Sequence, residues 1–419
     1  KGKAVIPLDR IDKFKDGKVL FYADCGNNGR GGKSSGQAHF KRADICVFRQ
    51  DILDLYYDIL ACYQLLSAVN DNARKREIKA YINKAISLAY NTDSQSILNT
   101  RNALAKMFDG KYKQDFTVYA VGHGHLDLAW LWPVRETKRK AIRTFSNAVY
   151  ESEQCQSYVF NGSQPQQYEF IKEISPEFFE RIKQSVQRGN IEPQGGMWVE
   201  PDTNLPCGES LIRQCFYGKT YFKNEFGKDV KTLWLPDVFG NSWILPQILK
   251  KSGVDYFVSN KMSTWNDTNR FPHNNFIWKG IDGTSVLACV PPTHFITWNM
   301  PSQIQENWEA YIDKDSGGQT MNMFGYGDGG SGCTEEMIEL MHRFDKLSIM
   351  PKCEHMGGQE FLEKNLKNND SLQTWDGELY LEMHRGTFTT KSNMKRANRR
   401  LEYKLRDAEI LSVLRGEDN

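Results

Sequence analysis

From about residue 116 onward the sequence alternates between short strand-like runs and longer helical patterns, and this alternation restricts the fold more than any other property of the chain. Strands are expected at 116–122, 158–162, 191–195, 232–236, 256–259, 321–325 and 379–383. Helical periodicity fills most of the gaps, at 133–153, 166–188, 208–225, 244–251, 335–347 and 360–367. A strand followed by a helix requires parallel strands with covered faces. Seven such units predict an α/β fold whose core is a seven-stranded (β/α) barrel, with helical and small β-rich flanking segments. A hairpin at 276–290, turning at Asp282-Gly283, is the clearest interruption. The resulting division is a β-rich remnant at 1–50, a helical segment at 51–112, the barrel at 113–388 and the start of a helical bundle at 389–419.

Charge and cysteine content exclude several classes of function. The 54 Lys and Arg nearly balance the 52 Asp and Glu, so there is no electrostatic case for a nucleic-acid or membrane partner. The basic cluster from Lys391 to Arg406 has helical spacing and reads as a solvated face. No run is long enough to span a bilayer, and no basic-then-apolar leader opens the chain. Nine cysteines without a C-x-x-C pair fit neither a disulfide framework nor a cysteine-zinc module. Reduced thiols in a cytoplasmic protein are expected. The sequon Asn161-Gly162-Ser163 falls where a glycan would obstruct the candidate pocket, which favours the same compartment.

The first strand after residue 116 ends in Gly122-His123-Gly124-His125-Leu126-Asp127. On an extended backbone positions i, i+2 and i+4 share a face, so His123, His125 and Asp127 would point into one cleft. Imidazole and carboxylate together suit zinc. A His-rich turn that merely bonds its own loop is the simpler alternative, but it leaves Trp130 and Trp132 unexplained. Aromatic faces beside polar ligands are what a sugar pocket needs, because pyranose C–H faces pack on π surfaces.

Further polar groups collect just past other strand ends, where α/β folds place their sites. They are Trp198-Val199-Glu200-Pro201-Asp202, Pro236-Asp237-Val238-Phe239, Tyr326-Gly327-Asp328-Gly329-Gly330 and Glu382-Met383-His384. Singly, Asp237 could cap a helix and Asp328 could shape a turn. Together they supply two histidines and two aspartates for a zinc shell, and two carboxyl groups for glycoside hydrolysis. The glycines around Asp328 allow close backbone approach to a ligand, as a proton donor requires.

These motifs resemble glycoside hydrolase family 38, the zinc-dependent α-mannosidases, in the branch of the cytosolic, vacuolar and bacterial enzymes. The resemblance runs from about 116 to 414. It rests on His-Gly-His-Leu-Asp-Leu-Ala-Trp-Leu-Trp-Pro, Gly-Gly-Met-Trp-Val-Glu-Pro-Asp, Leu-Pro-Asp-Val-Phe-Gly, Gly-Tyr-Gly-Asp-Gly-Gly and Glu-Met-His-Arg-Gly-Thr-Phe-Thr-Thr. It implies that His125, Asp127, Asp237 and His384 bind Zn2+, with His123 outside the ligand set. Asp237 would also be the nucleophile and Asp328 the acid/base of a retaining α-mannosidase acting on terminal mannose of oligosaccharides. Trp130, Trp198, Glu200, Asp202 and Phe239 would contact substrate, and a homo-oligomer is compatible with the pattern. Ser331 and Cys333 depart from the expected Gly and Pro of their loop. The chain is expected to be a truncated member, stopping at the first bundle helix. A zinc-dependent carbohydrate deacetylase-like hydrolase and an inactive sugar-binding fragment are the alternatives.

Overall fold

The computed structural model describes residues 47–111 and 114–416, so the β-rich remnant expected at 1–50 lies almost wholly outside the described residues. Arg49–Asn419 forms one compact unit. Three helices come first: α1 (Gln50–Ala68), α2 (Asn72–Leu88) and α3 (Ser94–Leu104). The carboxylates of Asp71 and Asp93 cap α2 and α3, accepting from the free backbone N–H groups of the first turn.

The alternating region then begins with β1 (Gln114–His123), α4 (Val134–Gln154), β2 (Phe160–Ser163), α5 (Pro165–Ile174), α6 (Pro176–Arg188), β3 (Ile191–Gln194) and α7 (Gly208–Phe226). It continues through β4 (Thr232–Leu235), α8 (Leu245–Lys251), β5 (Tyr256–Ser259), the single turn α9 (Lys261–Thr264), β6 (Asn275–Lys279), β7 (Ser285–Cys289) and α10 (Pro301–Ala310). It ends with β8 (Gln319–Phe324), α11 (Glu335–Phe344), β9 (Pro351–His355), α12 (Gly358–Phe361), β10 (Gln373–Asp376) and α13 (Ser392–Arg415).

The α/β class is as expected, but among the described residues no closed seven-stranded barrel forms. The strands make two five-stranded sheets. In the first, β1 pairs in parallel with β8 along one edge and with β9 and then β2 along its length, while β3 pairs with β2. The second runs β10-β6-β7-β5-β4 and is parallel except for the β6/β7 hairpin. The sheets approach through the backbone bond from Gly196 N–H to Thr232 O, 3.0 Å. Two further differences have local causes. The helix expected at 166–188 is broken at Ser175-Pro176, because proline lacks the N–H that would continue α5 and disfavours helical backbone before it. The strand expected at 379–383 is reduced to a single bridge between Leu379 and Asn241, whereas β9 and β10 extend the sheets instead.

The first sheet is clamped to the leading helices by a charge cluster. Asp58 of α1 accepts from Arg101 Nε and from Arg343 Nε, both at 2.8 Å. In the first sheet all five strands point the same way, as do β4, β5 and β7 within the second, and the candidate site lies at the carboxyl ends of β1, β8, β4 and β5.

Candidate active site

Two loops that follow adjacent strands bond to each other and so fix the first half of the site. After β1, Asp127 N–H donates to Asp328 O (2.9 Å), and after β8, Gly330 N–H donates to His125 O (3.0 Å). This antiparallel contact brings together two acids that are 201 residues apart in sequence. Gly330 has φ +71°, and a Cβ there would meet Thr144 Oγ1 at 2.2 Å. Asp328 itself sits at φ +55°, a left-handed conformation that is uncommon away from glycine and is enriched for Asn and Asp. Gln164, just past β2, ties this pair to the next strand end. Its Nε2 donates to Leu126 O (3.0 Å) and its Oε1 accepts from Glu200 N–H (3.4 Å).

His125 is 4 % exposed and carboxylates surround it. Its Nε2 lies 3.6 Å from Asp127 Oδ1 and 3.5 Å from Asp237 Oδ2, while Nδ1 lies 2.9 Å from Glu200 Oε2. Neither ring nitrogen has a hydrogen bond of proper alignment, and nor does Glu200 Oε2. Burial alone would lower the imidazole pKa, but the carboxylates, Glu200 foremost, overcome it and hold the value well above the usual one. Among the described residues, His125, Asp127, Asp237 and Asp328 each offer a ligand atom within 4.8 Å of the others. A mixed N/O set with a buried, unbonded imidazole is what zinc coordination uses.

Asp237 follows β4 and therefore joins the second sheet to the first. Burial pushes its carboxyl up, but His125 and then Lys261 reverse this and set it at about 2. Asp328 moves the other way, raised by burial and by the charge of Asp237. Two carboxyl groups with pKa values driven apart are the mark of an acid paired with a nucleophile or base.

The remaining expected residues divide. His384 is not in the four-residue group. Its ring, in a left-handed backbone position, packs against Phe239 (4.8 Å between centroids) and Trp265 (5.0 Å), and its pKa is lowered by burial and by Lys261. Phe239, Glu200 and Asp202 line the cleft of about 380 Å³ that contains His125, Asp127 and Asp237. The Asp202 carboxylate also accepts from the backbone of Asn204 (3.0 Å) and Leu205 (3.1 Å), and Glu200 accepts from Ser163 Oγ (2.7 Å). Trp198 lines a separate cleft beside Tyr217 and Arg213, with its Nε1 donating to Gln166 Oε1. Trp130 is half-exposed and packs edge-on to Trp132. His123 turns inward, 1 % exposed, with Nε2 2.5 Å from Phe295 O, and burial lowers its pKa to about 4. β1 ends at His123, so the alternation expected to align it with His125 and Asp127 stops there, and its ring packs beside Trp234 and Phe295.

One residue of the site was not singled out by its sequence. Lys261, after β5, pairs with Asp237 at 2.6 Å. Its position just past a strand was the available signal, but a lone lysine in a chain with 54 basic residues carries little weight. None of the seven described cysteines is in a disulfide. No described helix is long and apolar enough to cross a membrane.

Known proteins share this sequence and fold. Residues 382–419 match the α-mannosidase middle domain. The chain is 38% identical to α-mannosidase G of Dictyostelium discoideum over 88% of its own length and 34% of that protein's. It is 33% identical to human α-mannosidase 2C1, covering 97% of this chain and 40% of the relative, and 35% identical to an α-mannosidase of Saccharomyces cerevisiae, covering 96% and 40%. It thus spans between a third and two fifths of the length of these curated relatives. The fold is similar to that of a crystallised α-mannosidase from Enterococcus faecalis V583, with a TM-score of 0.56 and 19% identity over 63% of this chain and 31% of that one. Residues 115–378, well over half of the sequence, match the N-terminal domain of glycosyl hydrolases family 38, and the chain belongs to that family.

Proposed function

We propose that this protein is a retaining, zinc-dependent α-mannosidase that removes terminal α-D-mannosyl residues from oligosaccharides. The observation that carries the reading is the pairing of Asp237 and Asp328 beside His125. A carboxylate oxygen of each lies no more than 4.8 Å from one of the other, short of the roughly 6.5–9.5 Å that an inverting pair leaves for its water. The α-mannosidase names of the relatives supply the substrate class.

His125, Asp127 and Asp237 would hold the ion, with His384 as fourth ligand. The unbonded ring nitrogens of His125 and its N/O surroundings fit this role. Bound there, zinc would act as a Lewis acid toward hydroxyls of the sugar. The rest of the chemistry belongs to the chain's own groups. Asp237, ionised, attacks the anomeric carbon. Asp328, whose carboxyl is raised, gives its proton to the departing glycosidic oxygen. Water then takes the place of the leaving group, loses its proton to Asp328 and releases the sugar from Asp237. Phe239, Asp202 and Glu200 line the cleft.

Proton NMR of the full-length protein hydrolysing an aryl α-mannoside tests the reading. First-formed α-mannose is expected, and first-formed β-mannose would overturn the retaining assignment. Asp328→Ala should slow substrates with poor leaving groups far more than activated aryl mannosides, whereas Asp237→Ala should abolish turnover of both.

A further inference from the structure

We infer that Lys261 is a positioning residue for Asp237, one that fixes the carboxylate and speeds release of the sugar from it in the second half of the reaction. The inference rests on the retaining reading above. It begins from the separate partners of the two carboxylate oxygens: Oδ1 faces Lys261 Nζ at 2.6 Å, and Oδ2 faces His125 Nε2 at 3.5 Å. The short contact with Lys261 orients the carboxylate, turning Oδ1 to the ammonium and Oδ2 toward the His125 group.

The setting of the ammonium gives it a second effect. The Lys261 side chain is 6% exposed, and its Nζ lies 4.8 Å from the Trp265 ring, 5.1 Å from Phe239 and 6.0 Å from Phe295. Three π faces attract a cation but do not neutralise it, and the carboxylate at 2.6 Å is its charge partner. Formation of the glycosyl ester takes the formal charge of Asp237 from −1 to 0 and leaves the ammonium beside a neutral group in a poorly solvated cage. In the second step a water oxygen bonds to the anomeric carbon and its proton passes to Asp328. The bond from that carbon to the Asp237 oxygen breaks, and its electron pair returns to the carboxylate. Negative charge therefore develops next to Lys261 during breakdown of the ester. A preorganised cation in low dielectric stabilises that transition state more than the ester preceding it. The same pairing stabilises free Asp237 before attack, so the lysine shifts the rate balance toward release of product.

The test uses the full-length protein, an activated aryl α-mannoside, and three readouts: steady-state kinetics, intact mass and metal content. Lys261→Met should lower kcat by about 10- to 100-fold while kcat/KM, which reports only steps through ester formation, changes by less than about 3-fold. KM should fall with kcat. A hexosyl adduct should accumulate and map to Asp237, and metal content should match the parent. Lys261→Arg keeps a charge at the position and should restore kcat without an adduct. If Lys261→Met does not fold, Lys261→Gln, also neutral and of similar length, takes its place. Equal losses of kcat and kcat/KM with no adduct, or loss of metal from the neutral variants, would overturn the inference, as would a Lys261→Arg variant as slow as the neutral ones. Failure of the underlying reading looks different: the parent itself would release β-mannose or none.

Discussion

At the scale of single residues, the least expected arrangement is the fourth corner of the acid and histidine group. Sequence motifs point to His384, while the ligand atoms that lie close together include Asp328 instead. The two assignments make opposite demands on Asp328, since a carboxylate bound to zinc is a poor proton donor. Without the ion, burial and the charge of Asp237 raise the carboxyl of Asp328 while that of Asp237 is lowered, the ordering that an acid role for Asp328 needs. Two alanine variants separate the possibilities by metal analysis. His384→Ala, which removes a direct ligand, should cost more in metal affinity than the roughly 10- to 100-fold typical of outer-shell partners, whereas Asp328→Ala should keep its metal and lose activity on unactivated substrates. Retention of metal by His384→Ala together with its loss from Asp328→Ala would move the fourth ligand to Asp328. Of the site residues, His125, Asp127, Asp237 and Asp328 could be read from the sequence because strand ends in a parallel sheet converge. Lys261 could not, since lysine at a strand end is ordinarily a solvated side chain. Trp198, expected at the substrate, lines a neighbouring cleft with Tyr217 and Arg213.

At the scale of elements, β1 organises the site, and its partners show why part of the fold was legible. The strands 232–236 and 256–259 stand out as apolar runs bounded by turn residues, and the structure contains strands at both places. By contrast β9, Pro351–His355, alternates like a half-solvated segment, and its pairing with β1 spans more than 230 residues, which no local pattern can reveal. His355 locks that pairing. Its Nδ1 lies 2.8 Å from Ala120 O on β1, and its Nε2 accepts from Val159 N–H at 2.8 Å. The bond from Val159 N–H requires an unprotonated Nε2 and so the neutral ring, and burial lowers its pKa to about 4. A histidine that binds its proton less readily folded than unfolded makes stability rise with pH, here between about 4 and the unfolded value near 6.5. The contribution lost on acidification is on the order of 2 kcal/mol once partial solvent exposure is allowed for. Urea unfolding at pH 4.5 and 7 should show this slope in the parent and a shallower one in His355→Gln. Equal slopes would remove His355 as its source. The loop after β8 makes a sharper demand. Gly330→Ala would place a methyl 2.2 Å from Thr144 Oγ1 at a left-handed position, so it should destabilise by about 2–4 kcal/mol and reduce activity by displacing Asp328. Thermal melts and assay of the variant check both effects.

At the scale of the whole molecule, the absence of a closed barrel gives the proposed metal a structural consequence. His125 and Asp127 follow β1 and Asp328 follows β8, all in the first sheet, whereas Asp237 follows β4 in the second. One ion held by His125, Asp127 and Asp237 would therefore join two sheets that share no continuous ladder. Without it, Asp127, Asp237 and Asp328 repel one another around a single imidazole, and Lys261 relieves only Asp237 directly. Binding to the folded chain alone stabilises it by RT ln(1 + [L]/Kd), about 2.7 kcal/mol at a free zinc concentration one hundred times Kd. Calorimetric melts after chelation and after zinc restoration should differ accordingly, with Tm rising as free zinc rises. Asp237→Ala should abolish most of this dependence, because it removes the ligand supplied by the second sheet. It should also leave Lys261 buried without its carboxylate, so its metal-free Tm should lie below that of the metal-free parent. Asp328→Ala relieves repulsion without removing a bridge, so its metal-free form should be at least as stable as the parent and its response to zinc should remain. A parent protein whose Tm ignores zinc while its metal content is full would show that the two sheets are held together by packing alone, with the ion confined to the chemistry.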